Sequence, residues 1–197
     1  MVGPESSVHS SSDISPLRAS VRHAIFIQEN GVIPQFLGDQ VMDLHGPTLT
    51  DEELELFQEQ GYVRLGKVAP AEEIDALCQR IDDIMLGKIR YDRMMMQLCP
   101  SAGKPELSKQ TKEFKESSLK YRKIQDLEQD ALFLPYIQHP LFRDITRKVI
   151  GEEVSVFRSM FFNKPANQGV TINWHQDGAG GWTLSIRPEV TIWTALD

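Results

Sequence analysis

Val154-Ser155-Val156-Phe157-Arg158-Ser159-Met160-Phe161-Phe162-Asn163 is the stretch in which the chain changes character. Ahead of it, apolar residues recur at three- and four-residue spacing. Within it they are β-branched and aromatic, and Gly151 and Asn163 bound the run, which is the composition of a strand. Residues 170–175 and 190–196 repeat the pattern, each flanked by Gly, Pro or Asn on at least one side. Helices first and strands after them predict an α+β fold, with helices buttressing a mostly antiparallel sheet instead of alternating βαβ units.

The helical part begins at Leu49-Thr50-Asp51-Glu52-Glu53-Leu54. Thr50 can accept from the Glu53 N–H while the Glu53 carboxylate reaches back, and Leu49 can staple onto Leu54. This helix should stop at Gly61, give way to a strand over 62–65, and restart at Pro70, whose missing N–H costs nothing at a first helical position. Ile74, Leu77, Cys78, Ile81, Ile84 and Met85 follow at helical spacing, and Gly87 ends the run. The pattern weakens over 90–123, where residues 104–123 hold seven basic side chains against Glu106, Glu113 and Glu116. Such a run is a solvated face or a dock for a phosphate-bearing substrate. Residues 128–138 and 140–150 read as two short helices with Gly151 as the stop.

Before Leu49 the chain is of another kind. Residues 1–20 contain seven serines, two prolines and no apolar run, so they lack the core of a secretory signal and read as a disordered tail. Ala24-Ile25-Phe26-Ile27 is apolar enough to pack on something, but Asn30-Gly31 and Pro34 interrupt it. The expected division is a largely disordered or irregular segment over 1–48 and a domain over 49–197, with helices in 49–151 and strands in 152–197.

Across 197 residues the chain is 41% hydrophobic and carries a formal net charge of −7. That balance opposes binding to nucleic acid or an anionic membrane, and no stretch approaches the apolar length of a spanning helix. A soluble, cytoplasmic protein is the expectation. Cys78 and Cys99 make neither a disulfide framework nor a cysteine zinc site.

The tripeptide with chemical content is His175-Gln176-Asp177. On an extended chain alternate side chains share a face, so His175 and Asp177 point the same way. A nitrogen and a carboxylate oxygen then converge, supplying two of the three ligands of a two-histidine, one-carboxylate ferrous site. The same pair also serves as an ordinary structural hydrogen bond.

Its surroundings narrow the choice. Ser159-Met160-Phe161-Phe162-Asn163-Lys164-Pro165, Asn173-Trp174-His175-Gln176-Asp177, Arg187-Pro188 and Thr191-Ile192-Trp193-Thr194-Ala195-Leu196-Asp197, with Tyr121-Arg122-Lys123-Ile124-Gln125-Asp126-Leu127 upstream, resemble the phytanoyl-CoA dioxygenase family. The resemblance covers residues 49–197 and implies a double-stranded β-helix, or cupin-like jelly roll, with flanking N-terminal helices. It implies Fe(II) bound by His175 and Asp177, and 2-oxoglutarate as co-substrate in a pocket lined by Lys123, Met160 and Trp193. Lys123 is equally a surface lysine of the basic run, while Met160 and Trp193 can be core and pocket wall at once. Arg158, two residues before Met160, would share its face and aim a cation inward, toward a substrate carboxylate or an internal ion pair. Gly178-Ala179-Gly180-Gly181 reads as a lid hinge or a tight turn, and Arg187 as substrate-facing or solvated.

The resemblance also calls for a third ligand, a histidine on a later strand, and for an arginine that pairs with the far carboxylate of 2-oxoglutarate. His9, His23, His45 and His139 all precede His175, and no histidine follows it. His139, at a helix start, is badly placed to reach a barrel interior. A jelly roll uses eight strands, whereas the residues after Asp177 hold about one strand and a loop. The barrel is therefore expected to be incomplete at its C-terminal side and the chain to be truncated. The implied function is an iron(II)- and 2-oxoglutarate-dependent dioxygenase that hydroxylates a small organic molecule or an acyl thioester. Two other classes compete with it: a non-catalytic binding or regulatory chain of the same fold, and a cupin-like metal protein that does not use 2-oxoglutarate.

Overall fold

Thr50 closes the capping box that its sequence encodes. Its Oγ1 accepts from the Glu53 N–H at 3.1 Å, and the Glu53 carboxylate accepts from the Thr50 N–H at 2.8 Å. Helix α1 (Asp51–Gln60) follows and stops at Gly61, whose φ of 76° is cheap only for glycine. The computed structural model describes residues 44–100, 108–164 and 190–196, together with the backbone of 25–28. Among these, no helix is long and apolar enough to cross a membrane.

Helix α2 (Ala71–Met85) buries Ile74, Leu77, Cys78, Ile81, Ile84 and Met85, the face that the apolar spacing marks out, with Pro70 as the residue before its first turn. The strands form two antiparallel sheets. In the first, β1 (Ile25–Gln28) lies between β2 (Tyr62–Arg64) and β6 (Thr191–Thr194), with Phe26 opposite Arg64 on one side and Trp193 on the other. The apolar run at Ile25 thus supplies a central strand backbone. In the second sheet, β4 (Tyr121–Gln125) lies between β3 (Met95–Leu98) and β5 (Met160–Phe162).

Three expectations need correction. The strand expected over 62–65 is β2, but the region otherwise read as helical, 49–151, also contains β3 and β4, so helices and strands interleave in sequence. Met95-Met96-Gln97-Leu98 shows why the reading missed β3: methionine, glutamine and leucine favour helices, and the partner that makes them a strand lies some 25 residues away. The strand expected over 154–163 is only Met160–Phe162. Its partner β4 pairs through Gln125, and Asp126 then turns the chain away at φ 66°, leaving no ladder for residues 154–158. The helix expected over 128–138 is a 3-10 turn at Leu127–Gln129 followed by α3 (Phe133–Ile137), and α4 (Pro140–Ile150) matches its expected span.

The core lies between the helices and one face of the second sheet. Met96, Leu98, Tyr121 and Ile124 pack there with Ile74, Leu77, Ile81, Phe133, Leu141, Phe142 and Ile145. Each fully buried aliphatic or aromatic side chain contributes about 1.5–3 kcal/mol. A register irregularity between Gln97 and Leu98 brings Tyr121 onto this core side. There the Tyr121 hydroxyl donates to the Glu116 carbonyl at 2.9 Å and accepts from the N–H groups of Lys115 and Glu116. Part of the basic run thereby wraps a buried ring as a loop.

Candidate functional site

The opposite face of the same sheet is less buried: Met95, Gln97, Lys123 and Met160 are half-buried and Phe162 is exposed, while Gln125 is buried. Directly paired residues share a face, so Met95 and Gln125, Gln97 and Lys123, Gln125 and Met160, and Lys123 and Phe162 all project to the side away from Ile124. This face has one ammonium group, two primary amides, two thioethers and a phenyl ring. The amides are held: Gln97 Nε2 donates to the Ser108 carbonyl at 2.8 Å, and Gln110 Nε2 donates to Gln125 Oε1.

Lys123 and Met160 therefore stand on one sheet face, on neighbouring strands. Trp193 comes from the other sheet. On β6, Ile192 packs against the core and Trp193 points the other way, stacking on Phe162 with ring centroids 5.8 Å apart and planes 15° apart. The Lys123 ammonium lies 5.3 Å from the centroid of the same phenyl ring. Phe162 and Trp193 are 37% and 36% exposed, so these rings border open space instead of filling the core.

Neighbouring bonds hold both strands. On the β5 side, Asp126 N–H donates to the Ser159 carbonyl at 3.1 Å, Ser159 Oγ donates to the Glu128 carboxylate, and Asn163 N–H donates to the Arg122 carbonyl at 2.9 Å. Burial, reinforced by Glu128, pushes the Asp126 carboxyl above its ordinary pKa, against the opposing pull of Lys112 and Arg158. On the β6 side, Tyr136 Oη and Thr194 Oγ1 share a 3.0 Å hydrogen bond, and Cys78 Sγ donates to the Leu196 carbonyl at 2.9 Å. Burial is the main reason that the Tyr136 phenol is pushed up to about 12.

Other expected residues fall elsewhere. His175 and Asp177, the glycine loop 178–181 and Arg187 lie outside the described residues. Arg158 is exposed and precedes β5, so the alternation that would carry it inward does not reach it; its guanidinium lies 5.0 Å from the Phe157 ring. His139 is occupied at the start of α4, where Nδ1 accepts from the Leu141 N–H at 3.2 Å. Among the described residues no group of three His, Cys, Asp or Glu side chains is placed to hold a metal ion. Phe162 was missed as a site residue, although a period of two from Met160 places it on the same face.

A family model described as Phytanoyl-CoA dioxygenase (PhyH) matches residues 57–197. A Caenorhabditis elegans protein named "Probable phytanoyl-CoA dioxygenase" is 26% identical over 169 residues, which are 82% of this chain and 52% of that protein. The chain thus spans about half the length of this curated relative. No solved structure gives a significant match.

Proposed function

The chain belongs to the phytanoyl-CoA dioxygenase family, and from that premise we propose that it works in an iron(II)- and 2-oxoglutarate-dependent dioxygenase. The two sheets are then the facing sheets of a jelly roll, and its interior is the side onto which Lys123, Met160 and Trp193 open. The observation that carries this reading is the shared open side itself, where one cation and an apolar wall stand together on rigid strands.

That surface fits a five-carbon dicarboxylate. A carboxylate needs a positive partner, and Lys123 is the cation that this face offers. The two methylenes of the ligand need an apolar wall, which Met160 and Trp193 supply. Gln97 and Gln125 are tethered by their own hydrogen bonds and shape the floor with little freedom to collapse into the space. By the family resemblance His175 and Asp177 would hold the iron, through one imidazole nitrogen and one carboxylate oxygen. Iron(II) held there would supply the activation of dioxygen, one oxygen atom going into succinate as 2-oxoglutarate loses carbon dioxide and the other into a C–H bond of the second substrate. The protein's own part is to bind, orient and shield. The second substrate is a small organic molecule or an acyl thioester.

The other reading is a non-catalytic binding or regulatory chain of the same fold. The deciding experiment measures iron-dependent succinate release from 2-oxoglutarate by the 197-residue chain and by a version continued through a further histidine and arginine. Turnover that appears or rises steeply on continuation supports the oxygenase reading. Equal, substantial turnover by both means that another residue of this chain completes the site, and none in either supports the non-catalytic reading.

A further inference from the structure

We propose that Phe162 is a positioning residue that sets Lys123 and Trp193 relative to one another across the gap between the two sheets. This inference rests on the reading of Lys123 and Trp193 as walls of the co-substrate pocket. Lys123 belongs to the β3-β4-β5 sheet and Trp193 to the β2-β1-β6 sheet, and among the described residues no strand ladder joins the two. Main-chain hydrogen bonds therefore do not fix the distance between them on this side. The phenyl ring meets both. Phe162 stands opposite Lys123 in the β4–β5 register, with the ammonium 5.3 Å from its centroid, and the Trp193 indole stacks on it at 5.8 Å and 15°. An ammonium is attracted to an aromatic face, and offset stacking is a preferred arrangement of two rings. Both contacts fix direction as well as distance, which an aliphatic side chain of similar volume would not do.

Phe162 is also well held for this task. Met160 and Phe162 are the ends of a three-residue strand paired throughout to β4, and backbone hydrogen bonds at Ser159 and Asn163 bracket it. The exposure of the ring argues against a mainly structural role, since a side chain 37% exposed contributes less to the core than Ile124, which is fully buried. Lys123 and Trp193 form the cation and the apolar wall of the pocket, and Phe162 acts through them.

The test compares Phe162→Leu, which keeps an apolar side chain and removes the ring, with Phe162→Tyr, which restores the ring. The first readout is near-ultraviolet circular dichroism. Phe162→Leu should lose the same band that Trp193→Phe loses, while Phe162→Tyr keeps it and thermal midpoints stay close. The second is calorimetric titration with 2-oxoglutarate. Phe162→Leu should weaken binding about tenfold, the scale of one aromatic pair plus one cation–π contact, and Phe162→Tyr should recover it. In a double-mutant cycle, Phe162→Leu and Lys123→Met should be non-additive. An unchanged dichroism band in Phe162→Leu, or wild-type 2-oxoglutarate affinity in that variant, overturns the proposal. If the wild-type chain binds no 2-oxoglutarate, the co-substrate reading falls, and the dichroism comparison alone still decides whether Phe162 places Trp193.

Discussion

The two faces of the β3-β4-β5 sheet are built by alternate residues of the same strands, yet they are chemically unlike. Met96, Ile124 and Phe161 turn to the helices, and Met96 and Ile124 are buried. Gln97, Lys123, Gln125, Met160 and Phe162 turn the other way and offer a cation, tethered amides and an open aromatic ring. One backbone thus separates two tasks by parity. A substitution at one position should change stability, and a substitution at the next should change ligand binding.

The strongest way to break this contrast is Ile124→Ala. Ile124 is fully buried on the central strand, and removing the three carbons beyond its Cβ leaves a cavity. The expected loss is about 2–5 kcal/mol of stability, read from urea unfolding. Affinity for 2-oxoglutarate, measured where the variant is still folded, should stay near wild type. A small stability loss with a large affinity loss would reverse the assignment of faces.

A smaller effect should come from Tyr121→Phe, at the other end of the same strand. The ring remains, but the partly buried N–H groups of Lys115 and Glu116 and the Glu116 carbonyl lose the hydroxyl that they meet. The cost should be about 1–3 kcal/mol, again without an effect on ligand affinity. A hydrogen-exchange experiment should show the change concentrated in residues 111–120, because that loop is tied down by the hydroxyl.

Which parts of this arrangement can be read from residues alone follows from the range of the forces involved. Helices α1, α2 and α4 are legible because their signals are local: the Thr50–Glu53 box, the spacing from Ile74 to Met85, and Pro140 with Gly151 at its two ends. Strands β3 and β4 are not, because Met95–Leu98 becomes a strand only when it meets Tyr121–Gln125. The extent of β5 was overestimated for a related reason. Residues 154–158 have strand-like composition, but Asp126 turns β4 away before they can pair. On the site side, period two from Met160 reaches Phe162, but the contact with Trp193 joins two sheets and has no signature in local spacing.

The capping box provides a test that should leave both sheet faces untouched. Thr50→Ala should cost about 1 kcal/mol with no change in ligand affinity. It should also alter the response to acid. Burial tends to raise the Glu53 pKa, but hydrogen bonds from the Thr50 backbone and from His45 outweigh it and hold the carboxyl below its ordinary value of 4.5. The unfolded chain therefore binds the proton more readily. The stabilisation from Glu53 is complete above the unfolded value and is lost as pH falls through the lower folded value. Glu53→Gln should flatten this part of the unfolding curve below pH 4.5; a slope unchanged by the substitution would assign the acid sensitivity to other carboxylates.

The smallest stability change should occur at Lys123→Met, and it is the most informative about the open face. Met keeps most of the apolar stem, so the folded chain keeps the packing of this side chain and loses the polar contacts of the ammonium, its attraction to the Phe162 ring among them. That attraction is worth about 0.5–1 kcal/mol where water has access, and the shift in unfolding should stay well short of that of Ile124→Ala. Binding should respond differently, because a charge-assisted contact to a carboxylate is worth about 1.5–3 kcal/mol, a weakening of about 10- to 100-fold in the Kd for 2-oxoglutarate. Ile124→Ala and Lys123→Met are neighbours on one strand, and the contrast predicts that their rankings in the two measurements are opposite. If Lys123→Met unfolds as readily as Ile124→Ala, the ammonium is part of the packed structure and this side of the sheet is not a pocket wall. If it changes neither stability nor affinity, the cation is a surface lysine of the basic run, and the carboxylate must be met by another residue.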